Sequence, residues 1–274
     1  MNAPLMHTLE QAAALRKKWQ AAEEPSFLGW ITFQDPAAAE IEVEWGYDGL
    51  IIDTEHSTFD VSALRATLMA FRGTDCVPIV RVGDNDIYLI KQALDLGAGG
   101  VLVPLIQDAA DAHSAVQFCR YPPIGDRGVS PRRASNYFRD IETYLAQADR
   151  SVLLMLQIEC VAAYENLDAI LKVEEVDCLF IGQVDLAASM NHMWDVRHPD
   201  VVAAVEDIIR RCHRAGRAAA IAAFPDPERI KRWLDLGANV IAVGGDVGFM
   251  VSGFQAFQAQ LKQAGLPFGA HGQT

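Results

Sequence analysis

The side chains able to do chemistry in this sequence sit where short apolar runs stop. Leu50-Ile51-Ile52 leads into Asp53-Thr54-Glu55-His56, Ile79-Val80 into Arg81, Leu153 to Leu156 into Gln157-Ile158-Glu159, and Leu179-Phe180-Ile181 into Gly182-Gln183-Val184-Asp185. Gln157 and Glu159 are two apart, so on a strand they share one face. An apolar core excludes such groups unless they are paired, because an unpaired buried charge costs on the order of several kcal/mol. Their recurrence at the ends of buried runs points to one rim that combines acidic, cationic and imidazole functions.

Each group has a chemical reading and a plain structural one. Glu159 and Asp185 suit a hard divalent cation such as Mg²⁺, with water and substrate oxygens completing its shell; otherwise they pair with Arg81 and hold no metal. His56 is either a general base near neutral pH, its tautomer fixed by Asp53 or Asp95, or a hydrogen-bonded structural residue. Arg81 either stabilises a developing oxyanion or scaffolds acidic loops. Lys17, Lys18, Lys91, Lys172, Lys231 and Lys262 are all expected on helices, so none is placed to form an imine with a carbonyl. No G-x-S-x-G, H-E-x-x-H or Walker motif occurs, and no G-x-G-x-x-G follows the first apolar run, so no organic cofactor is expected. Gly244-Gly245 has the look of a phosphate cradle, but Asp246 follows at once and would cap the last helix and repel a phosphate.

A cluster of arginines, Arg127, Arg132, Arg133 and Arg139, falls in the long connection Tyr121 to Asp140 of a chain whose net charge is -13. Two explanations stand. The loop is solvated and paired to acidic neighbours at a subunit interface, or Arg132 and Arg133 read the distal carboxylate of a diacid substrate, which a planar guanidinium does well.

These residues need a scaffold, and the rest of the sequence supplies one. Apolar runs at 27–33, 50–53, 77–82, 100–104, 152–159, 178–181, 218–223 and 240–244 alternate with stretches of helical period. Runs apolar throughout indicate a parallel sheet covered on both faces. The helix-to-strand junctions also look alike, as in Leu94-Asp-Leu-Gly-Ala-Gly-Gly-Val and Leu234-Asp-Leu-Gly-Ala-Asn-Val-Ile. Eight such units fit an α/β fold of the (β/α)8 TIM-barrel type, whose active sites lie at the C-terminal ends of the strands. The expected division is an N-terminal helical extension over 1–25 with its helix at 7–23, one barrel over 26–265, and a tail over 266–274.

The acidic balance, 23 Lys+Arg against 36 Asp+Glu, disfavours nucleic acid and anionic membrane surfaces as partners. No apolar run approaches the roughly 20 residues of a spanning helix, and Lys17 and Lys18 follow the first weakly apolar stretch instead of preceding it. Five scattered cysteines without C-x-x-C spacing read as reduced thiols. A cytoplasmic protein is the expectation.

Taken in order, Gly46-Tyr-Asp with Asp53-Thr-Glu-His56, Val80-Arg81-Val, Leu94-Asp-Leu-Gly-Ala, Arg120-Tyr-Pro-Pro-Ile-Gly-Asp-Arg-Gly-Val129, Gln157-Ile-Glu159 and Asp185-Leu-Ala-Ala-Ser189 make the chain resemble the HpcH/HpaI family of metal-dependent pyruvate aldolases. The resemblance implies reversible retro-aldol cleavage of a 4-hydroxy-2-oxo acid, a diacid by preference, to pyruvate and an aldehyde. It implies Glu159 and Asp185 as ligands of Mg²⁺, Mn²⁺ or Co²⁺, Gln157 beside them, Arg81 on the keto or enolate oxygen, and His56 as base with Asp53 and Asp95 in support. Trp30, Gly182, Val184 and Ala222 would line the substrate. A homo-oligomer, a hexamer exchanging its last helix between neighbours, is implied as well. Gln183 stands where the family's Gly-Pro-x-Asp-Leu has proline, and Ala220 and Ala222 replace a glycine and a bulkier leucine, so the carboxylate amides and the aldehyde pocket are expected to differ. Other readings are a related lyase or synthase that gives the enolate a different electrophile, and a barrel that binds 2-oxo acids without turnover.

Overall fold

A computed structural model describes residues 4–266. Helix α1 (Pro4–Ala21) precedes the first strand, and the chain then alternates: β1 (Ser26–Ile31), α2 (Pro36–Glu42), β2 (Gly49–Asp53), α3 (Val61–Ala70), β3 (Val77–Arg81), α4 (Ile87–Asp95), β4 (Gly100–Val103) and α5 (Ala109–Cys119). It continues through α6 (Ile141–Ser151), β5 (Leu153–Ile158), α7 (Val161–Glu165), α8 (Leu167–Ile170), β6 (Cys178–Ile181), α9 (Gln183–Ser189), α10 (Pro199–Arg214), β7 (Ala218–Ala223), α11 (Pro227–Asp235), β8 (Val240–Gly245) and α12 (Asp246–Gln263). The strands are all parallel and close in sequence order, β8 pairing back to β1. Each expected apolar run is a strand, to within two residues at either end. The expected tail lies, apart from Leu266, outside the described residues.

Period-2 alternation decides what the barrel encloses. One face of the strands packs outward under the helices: Leu50, Ile52, Val80, Val101, Leu154, Leu156, Leu179, Ile181, Ile221 and Ile241 all join the outer core. The other face fills the interior with Leu28, Ile51, Val77, Ile79, Leu102, Leu153, Met155, Cys178, Phe180, Ala218, Ala220, Val240 and Ala242. Ala220 is therefore a fully buried filler in this stack and not a wall of an aldehyde pocket. Continuing the same face upward by two residues at a time reaches Asp53, Arg81, Gln157 and Glu159.

Helix α1 closes the N-terminal end. Ala12, Leu15 and Trp19 join the interior cluster, Asn239 Nδ2 donates to the Trp19 carbonyl at 2.8 Å, and Arg16 pairs with Asp177 at 2.6 Å. At the other end the helices start, and five of them are capped by an aspartate, Asp35, Asp60, Asp86, Asp108 and Asp226, accepting from their first-turn amides. Part of the chain's negative charge is thus helix capping. Gly46, Gly97 and Gly237 end the returning elements with φ of 81, 95 and 105°, the left-handed turn that the recurring Leu-Gly-Ala junctions lead one to expect.

The last helix is the exception to this packing. Val247, Phe249, Met250, Val251, Phe254 and Phe257 of α12 are all exposed. Beside its first turns a cavity of about 530 Å³ is lined by Phe33, Ile41, Trp45, Met250 and the carboxyl of Glu42. Glu42 is 5% exposed and neither of its oxygens has a hydrogen-bond partner among the described residues. Burial, with Asp246 nearby, pushes its carboxyl up to about 7. A carboxyl that binds its proton more tightly when folded stabilises the fold fully below the unfolded value near 4.5, and loses that contribution as pH rises through 7. Glu42→Gln should therefore raise the melting temperature at pH 8 and leave it nearly unchanged at pH 4.5. The gain at pH 8 is worth about 1 to 3 kcal/mol. Equal effects at both pH values would show that the charge is not felt.

Candidate active site

The site is built on strand ends. Asp53 and Arg81 are register partners across β2 and β3, so their side chains leave the barrel wall together. Arg81 Nε donates to Asp53 Oδ1 at 3.0 Å and Nη2 to Oδ2 at 2.7 Å, the bidentate geometry that fixes a guanidinium plane. Nη1 lies 3.2 Å from Glu55 Oε2, and the guanidinium carbon sits 4.8 Å over the Trp30 ring. Trp30 in turn meets Phe180 edge-to-face at 5.8 Å. The alanines of β7 leave the room for these two rings inside the barrel.

Across the mouth, Gln157 and Glu159 stand on the same face of β5. Glu159 Oε1 accepts from the Leu105 amide at 2.8 Å, and Oε2 accepts from Gln157 Nε2. Burial lifts the Glu159 carboxyl above its ordinary range; the two donors pull it back, and the charge of Asp185 adds to the rise. Asp185 is exposed in the first turn of α9. Gly182, which begins that turn, has to be glycine: a Cβ there would lie 2.9 Å from Glu159 Cβ. Val184 turns its side chain to the outer core, so only its backbone faces the turn. Gln183 is buried and its amide donates to the Ala222 carbonyl, tying the end of β6 to the end of β7.

The donor set suits a hard cation. Glu159 and Asp185 offer carboxylate oxygens that repel one another, and the buried Gln157 Oε1 has no partner among the described residues. All are oxygen ligands of the kind Mg²⁺ takes.

Several expected neighbours are elsewhere. Asp53 accepts from the His56 backbone amide at 3.2 Å but is engaged by Arg81 and does not hold the imidazole. The ring of His56 is 62% exposed, with Glu55 Oε1 3.8 Å from its Nε2. Asp95 ends α4 at the opposite face of the barrel, where Arg127 donates to it at 2.8 Å. The connection 121–140 follows α5 and so also lies at the N-terminal face. There Arg133 is buried and donates to the carbonyls of Leu96 and Leu68, and Arg132 is exposed over the Phe138 ring. Neither arginine reaches this chain's own catalytic mouth: they are scaffold and surface at the other end. Lys172 lies in the turn after α8 instead of on a helix, still before β6 and away from the site.

Two contributors were not singled out by sequence. Glu55 is half-enclosed between Arg81 and His56, and burial raises its carboxyl while the Arg81 guanidinium opposes the rise. Its position between Asp53 and His56 was a usable signal. Leu105, φ 60°, adopts the left-handed region to aim its amide at Glu159, a strained backbone that no side-chain pattern announces. Asp246 was expected to cap the last helix; it is instead that helix's first residue, after Gly245, and its carboxylate accepts from the amides of Thr32 and Phe33 at 2.8 and 2.7 Å.

Comparison with known proteins identifies the family. The family model described as HpcH/HpaI aldolase/citrate lyase matches residues 27–252. The chain belongs to that family. The hydroxypyruvate/pyruvate aldolase of Roseovarius nubinhibens is 43% identical over 219 residues, 80% of this chain and 85% of the relative. The 5-keto-4-deoxy-D-glucarate aldolase of Shigella boydii is 36% identical over 243 residues, 89% and 94% of the two chains. The crystal structure of an HpcH/HpaI aldolase/citrate lyase family protein from Burkholderia cenocepacia J2315 superimposes with a TM-score of 0.85 at 32% identity, covering 91% of this chain and 99% of that one. As an HpcH/HpaI protein the chain is an enzyme of the aldolase class, a carbon–carbon lyase acting on small molecules. Among the described residues no helix is long and apolar enough to cross a membrane.

Proposed function

We propose that this HpcH/HpaI aldolase cleaves a 4-hydroxy-2-oxo acid to pyruvate and an aldehyde, and catalyses the reverse addition, with a divalent cation held by Glu159 and Asp185. The observation that carries the reading is the pairing, on one rim, of an oxygen-only acidic cluster with a guanidinium fixed bidentately by Asp53. The names of the relatives from Roseovarius and Shigella support pyruvate or hydroxypyruvate as the oxo acid and a sugar diacid as the cleaved substrate.

When bound, the cation supplies Lewis-acid polarisation of the oxo acid. Arg81, already oriented, adds positive charge where the keto oxygen becomes an enolate oxygen. His56, exposed at the rim beside Glu55, takes the C4 hydroxyl proton in cleavage, directly or through water, and a proton then passes to C3 of the enolate to give pyruvate; in synthesis it assists C3 deprotonation. Trp30 and Ala222 are half-buried where the barrel interior meets the mouth. The small Ala222 leaves space for the aldehyde part. Pyruvate release from a panel of 4-hydroxy-2-oxo acids tests the reading: no release from any member would end it, and a condensation product instead of cleavage would move the protein to another electrophile.

His56→Asn should lower kcat by about 10² to 10⁴ while leaving cation binding intact. Unchanged kinetics would return His56 to a structural role.

The exposed apolar face of α12 supports a homo-oligomer in which this helix is exchanged, its aromatic side chains filling the neighbour's equivalent of the cavity beside Glu42. Light scattering should give a multiple of the chain mass, reduced by Phe254→Asp. A monomer in the wild type would contradict it.

A further inference from the structure

The loop joining α9 to α10 carries three donors that the aldolase chemistry does not use. Asn191 and Trp194 take left-handed backbone angles, φ 63 and 61°, and the tight path folds His192 back over His198. The two imidazoles lie face to face, centroids 3.4 Å apart and planes 15° from parallel. Asp200, in the first turn of α10, stands beside both. Its Oδ2 is 3.6 Å from His192 Nε2 and 3.7 Å from His198 Nδ1, and one ligand atom from each residue falls within 4.8 Å of the others.

We propose that His192, His198 and Asp200 form a second metal site, for a transition-metal cation such as Zn²⁺, Ni²⁺ or Cu²⁺. Tetrahedral zinc bonds of about 2.0 to 2.1 Å need donor atoms roughly 3.3 Å apart. Two of the separations here exceed that by less than about half an ångström. Imidazole lone pairs lie in the ring plane, so the stacked rings must splay by side-chain rotation to meet one cation. Both rings are partly exposed, which leaves room for that movement. The donors also select the metal: two nitrogens and one carboxylate favour Zn²⁺, Ni²⁺ or Cu²⁺ over Mg²⁺, whereas the Glu159 and Asp185 cluster offers oxygen alone. The His192 amide donates to the Ala187 carbonyl at 2.8 Å. A cation bound here therefore ties the end of α9 to the start of α10, and leaves a coordination position open to water.

The test uses the full-length, tag-free chain. With both acidic-site ligands replaced, Glu159→Gln and Asp185→Asn, calorimetric titration of Zn²⁺ should still give one equivalent per chain, and adding His192→Ala should weaken it by about tenfold or more. Cu²⁺ bound to the otherwise native chain should show nitrogen hyperfine coupling in its EPR spectrum, lost in His192→Ala and in His198→Ala. This second measurement holds even if the double replacement fails to fold, because the oxygen-only cluster contributes no such coupling. His192→Ala should leave turnover in Mg²⁺ unchanged. Equal Zn²⁺ affinity with and without His192 and His198, or a Cu²⁺ spectrum of oxygen ligation alone, overturns the proposal.

Discussion

Exhaustive chelation should abolish pyruvate release, and Mg²⁺, Mn²⁺ or Co²⁺ should restore it. Glu159→Gln or Asp185→Asn should lower kcat by about 10³-fold even at saturating cation. The size follows from the several kcal/mol that a Lewis acid contributes at a developing enolate, each 1.36 kcal/mol being tenfold in rate. The direction follows from the geometry. Glu159 is held by the Leu105 amide and the Gln157 amide, so removing its charge leaves a buried pocket with donors and no anion to face them. Because burial raises the Glu159 carboxyl, protons compete with the cation, and affinity for it should fall as pH drops through the carboxylate range. A companion measurement separates this chemistry from an imine route: borohydride added with pyruvate should leave the protein mass unchanged, since no lysine lies at a strand end. Full activity after chelation, or a stable pyruvyl-lysine adduct, would defeat the metal reading.

Much of this site was legible in the sequence, for a specific reason. A barrel strand alternates strictly, so a polar residue at the end of an apolar run and in phase with its inward face has one place to go. Asp53, Arg81, Gln157 and Glu159 were all readable in that way. The misread residues belong to other geometries. Asp95 ends α4 and Arg133 lies on the connection between α5 and α6, both at the opposite face, and position along the chain does not say which neighbour a long side chain takes. Arg127 is held under cover by Asp95 and the Tyr144 hydroxyl, and Arg133 by the carbonyls of Leu96 and Leu68, partners that a loop rich in proline and glycine does not reveal. Glu55 and Leu105 depend on how the backbone turns after a strand, where periodicity stops being a guide. The apolar composition of α12 was plain to see; that it faces solvent in one chain is set by its packing, and packing is a tertiary fact.

Replacing Arg81 should cost both turnover and stability. Arg81→Ala removes the charge at the developing enolate oxygen, worth about 10² to 10³ in kcat for one such donor. It also strands Asp53, which is buried, and Glu55, which is half-buried, paired to it at 2.7 and 3.2 Å. Breaking a buried ion pair from one side costs about 3 to 5 kcal/mol of stability, so the alanine variant should melt earlier as well as turn over slowly, and cannot separate the two roles. Arg81→Lys can. It keeps one positive charge near the carboxylates but not the planar fork that Asp53 holds, nor the stacking over Trp30. The lysine variant should therefore recover most of the melting temperature and remain about 10²-fold down in kcat, with KM for the oxo acid changed much less. A lysine variant that regains full turnover would mean that charge alone suffices, and that the bidentate lock by Asp53 serves the fold and not the reaction.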